Sequence, residues 1–184
     1  MATAPNSKKV SYEQWLRKPE VSDGFEEVVN GEIRIMPLTL WTHHQVAHNL
    51  RHQVEPQVDA CVVMVIAEQF NLIVRRDPLT VRVPDFAVFE VATLVQKDDC
   101  VHSTPQLVVE ISESNAGPEW EQKLADYASM GVPEAWVVSP ETRTVEVLYL
   151  EEGKLRRAQV VAEGNLTPRR FPAINVEIAG IWPE

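Results

Sequence analysis

The spacing of apolar residues divides this chain into many short strands and three stretches with the wider period of a helix. Ser11 is placed to cap a short helix containing Trp15 and Leu16, which stops before Pro19. Phe25–Val29 and Glu32–Met36 flank Asn30-Gly31, a dipeptide suited to a type I′ turn, so they predict a β-hairpin. From 42 to about 54, Val46, Ala47, Leu50 and Val54 form one apolar helical face. Residues 61–66 and 69–74 read as strands, with Arg75-Arg76-Asp77-Pro78 as the turn that follows. Residues 81–89 read as a strand interrupted at Pro84-Asp85, and Leu107–Ile111 as a short buried strand. A polar loop holding Lys97, Asp98, Asp99 and His102 separates those two. Residues 113–120 form a loop leading into a helix from about 119 to 130, which Gly131-Val132-Pro133 terminates. A short buried strand over 135–138 precedes a C-terminal hairpin of 144–150 and 155–161, joined across residues 151–154. The tail from 171 to 182 is apolar enough to dock on the body.

The pattern shows no repeat, low-complexity tract or linker, so residues 1–184 read as one domain with a sizeable core. No apolar run is long enough to span a membrane, and residues 1–10 lack the apolar centre of a secretory signal. Cys61 and Cys100 have neither CxxC nor His/Cys zinc spacing. They fit free thiols in a reducing, cytoplasmic setting, with a single disulfide as the other option. Net charge is −10, which excludes a basic nucleic-acid coat protein but leaves room for a cleft that is locally positive or holds cations.

Two acidic residues stand where a buried strand would prefer none. Asp85 falls on the face of Val83 and Ala87, and Glu110 on the face of Val108 and Ser112. Each carboxylate must be paired, hydrogen-bonded or metal-bound to be buried there. Either alone would be satisfied by an arginine or by backbone N–H groups; two on central strands make a shared site the better reading. Lys123 lies beside Tyr127, at the edge of the buried stripe of the helix that follows Glu110. A lysine there either snorkels to water or reaches the same cleft. Asp, Glu and Lys converging on one cleft suit metal-dependent phosphodiester hydrolysis, with carboxylate oxygens for Mg²⁺ or Mn²⁺ and an ammonium for developing negative charge. His44, His48 and His52 recur every fourth residue, a spacing that can bind metal. They lie opposite the apolar helical face, so solvent exposure is expected of them. His43 differs, because it stands at the helix entrance where first-turn groups can face a cleft.

The ordered set Glu27-x-x-x-Gly31-Glu32-Ile33, His43, Pro84-Asp85, Glu110-x-Ser112 and Lys123-x-x-x-Tyr127-x-x-x-Gly131-Val132-Pro133-Glu134-x-Trp136 resembles the Uma-type restriction endonucleases, within the PD-(D/E)xK nuclease superfamily. The resemblance runs from about residue 12 to the end. It implies a restriction-endonuclease-like α/β (α+β) fold, a mixed central sheet flanked by helices. It also implies metal ligation by Asp85 and Glu110, an acidic contribution from Glu27, and a histidine, His43, near the cleft. Where E-x-K would place the lysine, this chain has Ser112, and the resemblance implies that Lys123 supplies it from the helix.

These readings make the expected function a metal-dependent endodeoxyribonuclease using Glu27, His43, Asp85, Glu110 and Lys123, with DNA as partner and a homodimer as a natural form for cutting two strands. Two alternatives stand beside it: a non-catalytic nucleic-acid-binding or regulatory module that keeps the fold, and an accessory subunit. Arg75-Arg76, Arg156-Arg157 and Arg169-Arg170 either supply a local basic patch or are solvated turn and hairpin charge.

Overall fold

Proline has no N–H to give to a strand ladder, and Pro84 ends one sheet where it stands. The stretch expected as a single interrupted strand is two strands in two different sheets, and residues 83–85 carry the chain between them. The structure, a computed structural model, describes residues 9–19, 24–36, 39–67, 70–112 and 117–183. Lys8 and the rest of the first eight residues, Gln69 of the expected 69–74 strand, and residues 113–116 of the expected loop lie outside that set.

In chain order the elements are α1 (Tyr12–Leu16), β1 (Phe25–Val29), β2 (Glu32–Met36), α2 (Trp41–Val54), β3 (Val63–Ala67), β4 (Asn71–Arg76), β5 (Leu79–Arg82), β6 (Phe86–Glu90), β7 (Gln96–Lys97), β8 (Cys100–Val101), β9 (Leu107–Ile111), α3 (Pro118–Met130), β10 (Glu134–Ser139), β11 (Thr144–Glu151), β12 (Lys154–Val161), β13 (Asn165–Leu166) and β14 (Val176–Glu177). One sheet has the order β2-β1-β5-β4-β8-β7 and the other β12-β11-β10-β9-β6-β3. Each is antiparallel apart from one parallel pair, β4 with β8 and β9 with β10. A parallel pair needs a long crossover, and α3 is the crossover from β9 to β10. The architecture is the expected mixed α+β class.

Local chemistry accounts for most boundaries. Ser11 caps α1 in a reciprocal capping box with Gln14. Asn30 and Gly31, at φ 52° and 85°, make the tight turn between β1 and β2. Gly131, at φ 82°, closes α3 in the left-handed region. The C-terminal hairpin turns over Glu152-Gly153 alone, so β11 and β12 each extend further than the pattern indicated. The strand expected from 61 begins at Val63, because Asp59 ties the preceding residues into a turn: its Oδ1 accepts from the Cys61 N–H at 2.8 Å. The expected polar loop before β9 contains a hairpin, β7–β8, whose turn residues Asp98 and Asp99 both adopt positive φ.

β6, β9 and β10 are covered on both faces. On one face α2 (Val46, Leu50, Val54) and the tail (Phe171, Ile174, Val176, Ile178, Ile181) pack over Phe86, Val109 and Trp136. On the other, Tyr127 of α3 and Val132 pack with Ala87, Phe89 and Val108, joined by Leu72 and Val101 of the first sheet. Tyr12 of α1 packs on Val28, Ile73 and Val81. Cys61 is exposed, Cys100 buried, and neither is in a disulfide. No described helix is long and apolar enough to cross a membrane.

The tail is held by side chains acting as a strand partner. The Gln53 amide donates to the Glu177 carbonyl (3.2 Å) and accepts from its N–H (2.8 Å). The Gln57 amide does the same for Asn175, at 2.8 and 2.9 Å. One helical turn separates the two glutamines and one pleat the two backbone positions, so the spacings match. Replacing both by alanine is expected to lower unfolding free energy by about 2 kcal/mol and to accelerate amide hydrogen exchange at Asn175 and Glu177. Unchanged exchange there would show that apolar packing alone holds the tail.

Candidate active site

The pairing of β6 with β9 ends with Phe86 opposite Val109, and Asp85 and Glu110 are the next residues on either side. Asp85 Oδ2 accepts from the Ile111 N–H at 2.7 Å, which ties the sheet crossing to the end of β9. Alternation along β9 turns Glu110 towards α3, on the face of Val108. There its two oxygens accept from Lys123 Nζ, at 2.7 Å, and from the Tyr127 hydroxyl. Lys123 Nζ also lies 3.3 Å from Glu27 Oε1, so the ammonium stands between two carboxylates from different sheets.

Glu27 is in turn fixed by β5 and its exit. Its Oε1 accepts from the Val83 N–H at 3.1 Å and its Oε2 from Arg82 Nη1 at 2.6 Å. The other prongs of the Arg82 guanidinium, Nε and Nη2, meet Asp126 Oδ2 at 2.9 and 2.6 Å. Gln122 closes the far end by donating to Asp126 Oδ1 at 3.1 Å. Glu27, Arg82, Glu110 and Asp126 are all buried. On the outer side, His43 at the start of α2 places Nε2 2.9 Å from Asp85 Oδ1. Its Nδ1 is buried without a hydrogen-bond partner among the described residues.

The electrostatics follow from burying these charges together. Burial pushes the Glu110 carboxyl up to about 8; Lys123 opposes this, and the charge of Asp85 adds to it. Burial alone would favour a neutral Lys123 amine, but Glu110, Glu27 and Asp85 outweigh it and hold the ammonium protonated. Burial likewise opposes ionisation of Glu27, and Lys123 with Arg82 overcomes it, holding that carboxyl below its usual range. Tyr127 is raised by burial and by Glu110, so its hydroxyl stays a donor.

Among the described residues Asp85 Oδ2 and both Glu110 oxygens each accept a hydrogen bond, Asp85 Oδ1 lies against His43 Nε2, and every one of these oxygens has a second lone-pair direction. Two adjacent carboxylates of this kind fit a hard cation that keeps several waters, as Mg²⁺ and Mn²⁺ do. Among the described residues no group of three or more His, Cys, Asp or Glu is arranged to hold a metal.

All five residues singled out in the sequence therefore lie in one cluster. His44, His48 and His52 point to solvent, with the His48 and His52 rings stacked. The six arginines considered as a basic patch are each engaged within the chain. Arg75 binds Asn30 and Thr80, Arg76 lies over the Tyr12 ring, Arg156 and Arg157 meet Glu152 and Glu146, Arg169 covers Tyr149, and Arg170 meets Glu90. Sequence reasoning missed Arg82 and Asp126. The available signal was an arginine between Val81 and Val83, as misplaced in a buried strand as the two acids.

The fold matches the crystal structure of a protein from Anabaena variabilis described as "a putative nuclease belonging to DUF820". The TM-score is 0.71 at 16% identity, over 94% of this chain and 97% of that one. The fold is thus one found in a nuclease-like protein. The sequence model of the family "Uma2: Putative restriction endonuclease" matches residues 11–179, and the chain belongs to that family. None of the curated proteins matches it.

Asp126 tests whether the buried charges act as a unit. Asp126→Ala leaves the guanidinium short of one partner in a dry site and is expected to cost about 3–5 kcal/mol in urea unfolding. A loss below about 1 kcal/mol would mean that water solvates Arg82 in its place.

Proposed function

We propose that this chain is a metal-dependent endodeoxyribonuclease whose reacting centre is Asp85, Glu110 and Lys123, held in place by Glu27 and His43. The observation that carries the reading is the meeting of two carboxylates, Asp85 on the sheet crossing and Glu110 on β9, with an ammonium from α3, 2.7 Å from Glu110. Membership of the Uma2 family supports DNA as the substrate. Asp85 and Glu110 would hold Mg²⁺ or Mn²⁺, which when bound lowers the pKa of a coordinated water and offsets charge on the phosphate. Lys123 stays protonated and is placed to donate to the attacking water or to a phosphate oxygen as negative charge grows. Glu27 limits the swing of that ammonium. His43 and the Ile111 N–H fix the orientation of Asp85. A homodimer would present one such centre to each strand of a duplex.

The second reading, a non-catalytic module on the same fold, draws on the net charge of −10 and the engagement of those six arginines. Metal binding and turnover separate the two readings.

Calorimetric titration with Mg²⁺ or Mn²⁺ is expected to show binding by wild type and none by Asp85→Ala or Glu110→Ala. Wild-type binding by both variants would place the metal elsewhere. For turnover, Lys123→Met is expected to nick supercoiled plasmid about 10²–10³-fold more slowly than wild type. It also leaves Glu27 and Glu110 less compensated, so a lower melting temperature is expected. Lys123→Arg keeps the charge and should restore most of the melting temperature while the nicking rate stays low. Wild-type nicking by both variants would remove Lys123 from the chemistry. Wild-type protein that binds metal yet does not nick would favour the module.

A further inference from the structure

Glu27 and Arg34 are directly opposed across β1 and β2, so their side chains share a face of the first sheet. Glu119 stands one helical turn before Lys123 on α3, so that pair shares a face of the helix. The facing elements are joined by two successive rungs. On the inner rung the acid is on the strand and the base on the helix: Glu27 and Lys123, 3.3 Å apart. On the outer rung the signs are reversed, with Arg34 Nη1 3.6 Å from Glu119 Oε1. The inner acid is only 2% exposed, whereas the outer side chains are 35% exposed for Arg34 and 84% for Glu119.

We propose that Arg34 is a substrate-contact residue whose guanidinium takes a phosphodiester group of the nucleic-acid strand at the mouth of the site. The inference rests on the nuclease reading above and deepens it. A strand approaching a chain of net charge −10 needs a cation at the entrance. Among the described residues three Lys or Arg side chains touch this cluster or its rim: Arg82, Lys123 and Arg34. Arg82 is buried between Glu27 and Asp126, and Lys123, 14% exposed, is held between Glu27 and Glu110. Arg34 is the most exposed of the three. Its present partner holds it weakly, because an exposed ion pair of this length contributes little. A phosphate offers the same guanidinium two parallel hydrogen bonds. Glu119 occupies Arg34 when no strand is bound and competes with the phosphate for it.

The test is binding, read apart from cleavage, with Ca²⁺ in place of Mg²⁺ and two short fluorescent DNA duplexes of unrelated sequence. Arg34→Gln is expected to weaken binding to both duplexes alike, by roughly tenfold or more, and to lower the slope of log K against log salt by about one. Arg34→Lys should recover the slope and only part of the affinity. Glu119→Gln, which removes the competitor, should tighten binding. Thermal melting of each variant near wild type is expected, since the pair is exposed. Wild-type affinity and slope in Arg34→Gln would overturn the assignment. So would a loss confined to one duplex, which would mean base contact. Wild-type protein that binds neither duplex would remove the nuclease reading itself, and this inference with it.

Discussion

Five charges of alternating sign run through the middle of this fold: Asp126, Arg82, Glu27, Lys123 and Glu110. Taking any one out of water alone would be prohibitive, so each is tolerable only because its oppositely charged neighbours are present. The chain of charges crosses the boundaries between α3 and both large sheets. It starts on α3, passes to β5 and β1 of the first sheet, returns to α3 and ends on β9 of the second. Burial of these groups therefore specifies how the helix and the two sheets sit together, more than it adds to stability. The candidate reacting end is where the chain of charges stops being fully closed. Beyond Glu110 come the half-buried Asp85 and a histidine with one nitrogen unsatisfied.

Much of this was legible from local pattern. Asn30-Gly31, Gly131 and the Val46–Leu50–Val54 face each act through neighbours within a turn or two, and their elements formed as expected. Asp85 and Glu110 were legible for a different reason, since each interrupts an apolar stretch, and Lys123 because it stands at the edge of the buried stripe of the helix that follows Glu110. Arg82 breaks its pattern equally. Its partners lie 55 and 44 residues away, and no period in the sequence reports such a distance. Asp126 was harder still, since an acid on an amphipathic helix reads as solvated. The change of sheet at Pro84 was hidden by the apolar continuity of its flanks, which both sheets require.

Part of the ordered pattern serves packing and not chemistry. Glu134 accepts from the indole N–H of Trp136 at 2.7 Å and from the Arg169 backbone N–H at 2.8 Å. Burial raises its carboxyl, and those two donors oppose the rise. With Arg169 laid over the Tyr149 ring, this clamps the segment entering the tail against β10 and β11. The tail then covers the same face as α2, whose first turn carries His43. The Gly-Val-Pro-Glu-x-Trp stretch thus acts on the candidate centre at a distance, by fixing what α2 packs against.

The crossing at residues 83–85 has a consequence for when the cluster can exist at all. Val83 donates its N–H to Glu27 of one sheet, and two residues later Asp85 accepts from Ile111 of the other. A chain with either sheet unformed carries all the residues but does not bring Glu27 together with Asp85 and Glu110 around Lys123. Assembly of the centre is therefore a readout of completed folding: nascent, truncated or partly unfolded copies would be silent, and whatever chemistry the cluster performs is confined to molecules in which both sheets have closed.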